Sequence, residues 1–144
     1  MHISKAIKEK ELGYKVIYNL KKRYAKDIFR LYQNEWWTKD RDKKSIKVML
    51  KNSDITIGVI KGKKLVAFAR VLSDFIYKAE IFDVIVHPKH RKKGLGELLI
   101  REILNHKKLK QVQQFNLQCK SEVAPFYEKF GFREVNGLKL MRKL

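Results

Sequence analysis

The sequence contains few cysteines, prolines and acidic residues, and it has no long apolar run. Its single cysteine, Cys119, excludes an internal disulfide and any metal site built only from cysteines. No apolar stretch approaches the roughly 20 residues that cross a bilayer, and 34% of the residues are charged, so we expect no membrane association. The stretch Met1–Lys10 lacks the apolar core of a secretory signal. We therefore expect a cytoplasmic protein.

Nothing in the sequence divides the chain. It has no repeat, no low-complexity tract and no linker rich in proline, glycine or serine, and its two prolines, Pro88 and Pro125, lie within motif regions. We predict one domain spanning residues 1–144, which is long enough to bury a sizeable core. We expect it to act as a monomer or a homodimer.

The charge balance is strongly basic. Lysine and arginine number 34 against 15 acidic residues, which makes a formal net charge of +19. Such a surface attracts nucleic acids, acidic proteins and phosphorylated cofactors alike. The basic residues are scattered, and the arginine and aromatic clusters that read nucleic acids are missing. The favoured interpretation is that the basic residues reflect a general compositional bias of the surface. A role in attracting an anionic ligand ranks second, and nucleic-acid binding ranks third.

Apolar periodicity predicts a mixed order of strands and helices. In chain order it predicts strand 14–18, helices 25–36 and 43–50, a hairpin of strands 55–60 and 65–72, strand 79–86, helix 94–109, strand 115–119, helix 124–130 and a last strand at 138–141. Strand 79–86 is almost continuously apolar, which is typical of a central strand. The fold class is therefore α/β, with helices packed on a mixed sheet.

The loop between strand 79–86 and helix 94–109 has the composition of an anion site. A loop that enters a helix amino terminus presents unpaired backbone N–H groups and the positive end of the helix dipole. Gly94 and Gly96 let the main chain approach an anion closely, and Arg91, Lys92 and Lys93 add positive charge. The spacing matches neither the P-loop nor the dinucleotide fingerprint.

Two segments resemble the GNAT N-acetyltransferase superfamily. Arg91–Gly96, after the strand end Val84–Pro88, is similar to its acyl-CoA signature Gln/Arg-x-x-Gly-x-Gly/Ala. Ala124–Phe132 is similar to its Phe-Tyr-x-x-x-Gly-Phe segment, and the likeness covers residues 55–141. The resemblance implies a mostly antiparallel sheet with splayed strands. It also implies transfer of the acetyl group of acetyl-CoA to a primary amine in a ternary complex, without a metal.

The resemblance also implies roles for particular residues. The pantetheine arm would run along the main chain of the strand, the pyrophosphate would bind the loop, and Tyr127 would protonate the leaving thiolate. The implied cofactor-binding residues are Val84, Ile85, Val86, Arg91, Lys92, Lys93, Gly94, Leu95, Gly96 and Glu97. Many members have asparagine seven residues before the tyrosine. Lys120 stands there, so the asparagine side-chain contact with the cofactor does not carry over, while the backbone path need not change.

The general base and the acceptor stay open from the sequence. Glu80 and Asp83 are both candidates for the base, and strand alternation predicts that they face opposite sides of the sheet. Trp36, Trp37 and Arg70 are candidate acceptor contacts, with packing or structural roles as the alternative. We expect Cys119 to be a small core residue rather than a nucleophile, and the histidines to form no metal site.

Three functions of different classes remain. The favoured one is an N-acetyltransferase whose acceptor is a small molecule rather than a protein. The second is a basic module that associates with nucleic acid or ribosomes on an acyltransferase fold. The third is a domain that binds coenzyme A without turnover.

Overall fold

A sheet that has five strands within the described residues forms the centre of the fold. The computed structural model describes residues 12–144, so the stretch Met1–Lys10 lies outside the described residues. The strands are β1 (Tyr14–Tyr18), β2 (Ile55–Lys61), β3 (Lys64–Ser73), β4 (Lys78–Val86) and β5 (Gln114–Asn116), and they lie in that order in the sheet. Neighbouring strands are antiparallel except β4 and β5, which are parallel.

Helices cover both faces of this sheet. They are α1 (Ala25–Tyr32), α2 (Lys43–Asn52), α3 (Leu95–Leu104) and α4 (Ala124–Glu128). On one face, Ile28 and Ile46 of α1 and α2 pack with Phe68 of β3. On the other face, Leu99 of α3 packs with Ile57 of β2. This two-faced core is why β3 is apolar along almost its whole length.

Local sequence signals set the ends of several elements. Gly62 adopts φ +62° in the turn between β2 and β3, a conformation that glycine reaches without a steric penalty. Asp42 caps α2 by accepting a hydrogen bond of 2.7 Å from the backbone N–H of Ser45. Between residues 12 and 144, no helix is long and apolar enough to cross a bilayer.

The structure departs from the predicted elements mainly at their carboxyl ends. Helix α1 ends at Tyr32 and α3 at Leu104, because each is followed by a polar turn rather than another helical turn. Strand β5 is shorter than predicted and ends at Asn116. The predicted strand at residues 138–141 is wrong: Leu138 and Met141 are exposed, and the segment joins no ladder.

Candidate active site

Strands β4 and β5 stop pairing well before β4 ends, and we call the space beside the unpaired part of β4 the gap. They pair at only three positions, Lys78 with Gln114, Ala79 with Phe115 and Glu80 with Asn116. Strand β4 continues to Val86, so its stretch Ile81–Val86 faces the gap rather than β5. An extended ligand can therefore lie along this edge of β4 as an added strand would.

The glycine loop lies at the end of this edge. Gly94 has φ +83° and immediately precedes α3, and Lys92 has φ +63°. A Cβ on Gly96 would lie 3.4 Å from Cζ of Phe126 and 4.0 Å from Cγ2 of Val86. The end of β4, the start of α3 and α4 thus meet at Gly96, where a side chain would narrow the approach to the helix amino terminus.

Arg91 occupies the mouth of the loop. Its Nε donates to the carbonyl oxygen of Val86 at 3.1 Å, and its Nη2 donates to Oε1 of Glu35 at 3.0 Å. The side chain of Arg91 is about half exposed, at 48%. A guanidinium in this position can reach an anionic group that lies between the loop and the β4 edge.

Tyr127 of α4 is buried in the core on the α3 side of the sheet. Its ring packs edge-on against Phe126 and Phe132, with centroid separations of 5.0 and 6.1 Å. Burial, and to a lesser extent the nearby thiol of Cys119, raise the pKa of Tyr127 to about 12. The hydroxyl therefore stays protonated at neutral pH and can donate a hydrogen bond or a proton.

Cys119 is exposed, not a core residue as the sequence predicted. The strand that was expected to bury it, β5, ends three residues earlier at Asn116. Burial of part of the thiol, together with the charge of Glu128, raises the pKa of Cys119. The thiol thus stays protonated near neutral pH, which does not suit a nucleophile.

A β-bulge in β4 decides where its two carboxylates point. Phe68 pairs with Ile85 and Arg70 with Phe82, so β4 has one extra residue between these pairs, and Asp83 has φ +55°. The bulge interrupts strand alternation. Glu80, Phe82 and Asp83 consequently share the α1–α2 face, and the prediction that Glu80 and Asp83 face opposite sides is wrong.

Asp83 is held by three donors. The Tyr32 hydroxyl donates at 2.8 Å, Arg41 Nη1 at 2.7 Å and Arg70 Nε at 2.7 Å, and all three meet at Oδ2. Burial acts to raise the pKa of Asp83, but the hydrogen bonds and the charge of Arg70 outweigh it and hold that pKa below the usual range. Asp83 is therefore ionised and tightly paired.

Glu80 has a different environment at the base of the gap. It belongs to the last paired position of β4 and β5, and the side-chain amide of Asn116 donates to its Oε1 at 2.9 Å. The side chain is half-buried. Within residues 12–144 this amide contact orients the carboxylate through Oε1 and leaves Oε2 open to another hydrogen-bond donor.

Comparison with known proteins agrees with this geometry. A model of the acetyltransferase (GNAT) domain matches residues 52–134. The chain belongs to the GNAT acetyltransferase family. It is 35% identical to an uncharacterized N-acetyltransferase of Pyropia yezoensis, ycf52, over 120 residues that cover 80% of this chain and 68% of that protein.

Two further relatives extend the comparison. The chloroplastic GCN5-related N-acetyltransferase 1 of Arabidopsis thaliana is 32% identical over 70% of this chain and 53% of its own length. A crystal structure of a GNAT-family protein from Xanthomonas campestris pv. campestris superposes with a TM-score of 0.75 at 25% identity, covering 90% of this chain and 94% of that one. The mixed sheet flanked by helices is thus the GNAT fold.

In this GNAT domain the segment between α1 and α2 borders the site. Trp36 and Trp37 are 64% and 43% exposed, and their rings meet edge-on at 6.0 Å. The Nζ of Lys120, which stands at the position where many members have asparagine, lies 4.8 Å from the ring centroid of Trp36. Lys120 therefore reaches across toward the tryptophan pair as a cation–π partner.

Sequence reasoning missed three residues of this GNAT site. Tyr32 belonged to the apolar stripe of a predicted helix, and its hydroxyl partner on β4 is 51 residues away in the chain. Glu35 carried no motif signal at all. Arg41 follows the tryptophan pair in the sequence, but its contact with Asp83 depends on how α1 and α2 pack on the sheet.

Proposed function

We propose that this GNAT domain transfers the acetyl group of acetyl-CoA to a primary amine, which attacks the thioester directly in a ternary complex. The observation that carries the proposal is the gap between β4 and β5, whose edge leads directly to the glycine loop. A ligand with a thioester at one end and a diphosphate at the other matches both features.

The donor would be held mainly by the main chain. Backbone groups of Val84, Ile85 and Val86 would bind the pantetheine arm, and N–H groups of residues 92–97 would bind the pyrophosphate at the positive end of α3. Arg91 would add a charged contact. Bound acetyl-CoA supplies the activated acyl group, while the residues of this chain orient it and move protons.

Tyr127 would act as the general acid. When the amine attacks, a C–N bond forms, the C–S bond breaks and negative charge develops on sulfur. The hydroxyl of Tyr127 is buried and its pKa is raised to about 12, so it is protonated when the thiolate leaves. Its proton passes to the sulfur, which completes release of coenzyme A.

Glu80 would accept the proton that the amine loses, directly or through a water molecule. Among the described residues, its carboxylate accepts a hydrogen bond from one amide, whereas the carboxylate of Asp83 is engaged by two guanidinium groups and a phenol. A carboxylate whose pKa is lowered by such partners is a poor base. We assign Asp83 the role of a positioning residue for Arg41 and Arg70.

The acceptor would be a small amine rather than a protein. The formal net charge of +19 repels lysine-rich polypeptides. Arg70 lines a cavity on the α1–α2 face, where such an amine would enter. Trp36 and Trp37 do not line this cavity but lie in the segment between α1 and α2, where Trp36 contacts Lys120. This basic surface also accommodates the negative charges of the donor.

A binding experiment tests the donor site. Calorimetry at moderate salt should detect binding of acetyl-CoA, and Gly94→Asp should weaken it at least about tenfold because a negative charge enters the phosphate loop. Gly62→Asp is the matched control, because it adds the same charge at another glycine with positive φ, +62°. Equal affinity of the Gly94→Asp variant and the wild type would disprove the proposed pyrophosphate site.

Turnover and nucleic-acid binding test the remaining alternatives. Thiol release from acetyl-CoA is measured across a panel of primary amines, and release with at least one of them is expected. Absence of release with every amine, despite binding, would favour a domain that only binds coenzyme A. Tight RNA or DNA binding that weakens steeply with salt, without effect of coenzyme A, would favour the nucleic-acid module.

A further inference from the structure

A cavity of about 250 Å³ opens on the α1–α2 face of the sheet. The residues that line it come from both helices, the segment between them and β3: Tyr32, Arg41, Ser45, Ile46, Met49 and Arg70. It therefore combines two guanidinium groups with an apolar wall. The volume lies just below the range of about 300–1,000 Å³ that holds drug-sized ligands, so the cavity has room only for a smaller molecule.

The cavity carries an excess of positive charge. Arg70 has a side chain that is only 14% exposed, and Arg41 is 36% exposed. Asp83 is the acidic partner of both, so the three groups together leave one net positive charge. A largely buried positive charge of this kind is stabilised by an anionic ligand.

Donors remain for such a ligand. Each arginine donates a hydrogen bond to Asp83 through one nitrogen only, and both bonds are accepted by the same oxygen, Oδ2. A guanidinium has five N–H groups in a planar fork, so each arginine retains donors after its bond to Asp83. The contact with Asp83 also fixes both forks, which lowers the entropy lost when they bind an anion.

The proposed base, Glu80, lies close to the Arg70 side of this cavity. Arg70 is directly opposite Phe82, and Glu80 lies two residues from Phe82 on the same face of β4. Two residues along a strand span about 7 Å. An amine near Glu80 and an anionic group at Arg70 can thus belong to one small molecule.

We propose that the acceptor of this domain is a small amine that also carries a carboxylate or a phosphate, bound by Arg41 and Arg70. This inference rests on the proposed transfer reaction and names its substrate class. The anion pairs with the two guanidinium groups, Ile46 and Met49 contact the carbon chain, and the amine extends toward Glu80 at the base of the gap.

Matched acceptors test this inference. We compare kcat/KM for β-alanine with β-alaninamide and for aminoethyl phosphate with ethanolamine, at saturating acetyl-CoA. For at least one pair we expect kcat/KM of the anionic acceptor to exceed that of its neutral counterpart about 10- to 100-fold. This is the factor expected because the neutral acceptor lacks one or two charge-assisted hydrogen bonds. The two pairs distinguish a carboxylate site from a phosphate site.

Arg41→Gln locates the effect. It should abolish most of the preference by raising KM for the anionic acceptor far more than KM for the neutral one, with unchanged acetyl-CoA affinity. Arg23→Gln, which removes the same charge outside the cavity, should keep the preference. Circular dichroism confirms that both variants fold, and the exposed part of Arg41 makes its replacement milder than that of Arg70.

The outcomes separate this inference from the proposed function. Turnover of neutral amines equal to that of their anionic counterparts would overturn the inference alone. So would an Arg41→Gln variant that loses activity equally with both members of a pair. Absence of thiol release with every amine would overturn the transfer reaction and this substrate class with it.

Discussion

Arg91 at the mouth of the glycine loop contacts Glu35 just beyond α1, with 3.0 Å between Nη2 and Oε1. The contact joins the proposed pyrophosphate site to the segment that carries the tryptophan pair and Arg41. Glu35 is largely buried, at 18% exposure of its side chain. If Arg91 binds the donor as proposed, Glu35 and the donor phosphates would compete for the same guanidinium.

Glu35→Gln should tighten binding of acetyl-CoA. The change frees Arg91 for the phosphates, and a partly exposed ion pair is worth about 0.2–1 kcal/mol, so the dissociation constant should fall by up to about fivefold. Glu134→Gln removes the same charge at an exposed position and measures the general charge effect. Weaker binding by the Glu35→Gln variant, measured by calorimetry, would show that the contact supports the donor site.

Tyr127→Phe should separate binding from chemistry. Loss of the hydroxyl removes the proposed proton donor, so kcat should fall about 100-fold or more while acetyl-CoA affinity stays within about twofold of the wild type. Tyr77→Phe, at a tyrosine that is 61% exposed, is the control. An unchanged kcat in the Tyr127→Phe variant rules out the assigned role.

The wild-type pH profile gives a second test of Tyr127. A general acid works only while protonated, and burial raises its pKa to about 12. The rate should therefore show no alkaline decline from this group below about pH 10. A decline in kcat near neutral pH that disappears in the Tyr127→Phe variant would contradict the assignment.

Asp83→Asn should destabilise the fold by about 3–5 kcal/mol, because it leaves the largely buried Arg70 without its charge partner. The folded-state pKa of Asp83 is lowered from its ordinary 3.8, so its stabilising effect is complete above that value and is lost as pH falls through the folded-state pKa. Denaturant unfolding should show a difference from wild type that is constant at neutral pH and shrinks in acid. Asp40→Asn, at an exposed position, should have little effect.

Labelling of Cys119 tests where coenzyme A binds. It is the chain's single cysteine, it is exposed, and its thiol acts electrostatically on Tyr127. Alkylation by iodoacetamide should be slow at pH 7, because the pKa of the thiol is raised above its ordinary 9.0. Saturating coenzyme A should slow it at least about tenfold by covering the gap, as measured by mass spectrometry. Equal labelling rates with and without coenzyme A would indicate that the ligand binds elsewhere.

The elements themselves were largely predictable. Apolar alternation located the hairpin and β4, and the two motif segments identified the GNAT fold and the loop before α3, since local periodicity and glycine spacing depend on neighbours in the chain. Element ends were predicted less well. Whether Tyr32 or Trp36 ends a helix depends on packing against the sheet, and so does the absence of a strand at residues 138–141.

The candidate site divides in the same way. The sequence by itself determined the fold class, the glycine loop and the position of Tyr127, because each depends on a pattern within a continuous stretch of residues. Only the tertiary structure decided that Glu80 and Asp83 share a face, because one extra residue at Asp83 breaks the strand alternation. It also brought Tyr32, Arg41 and Arg70 onto one carboxylate oxygen. Those contacts join residues 13 to 51 positions apart, and no local pattern specifies which distant partner a buried charge finds.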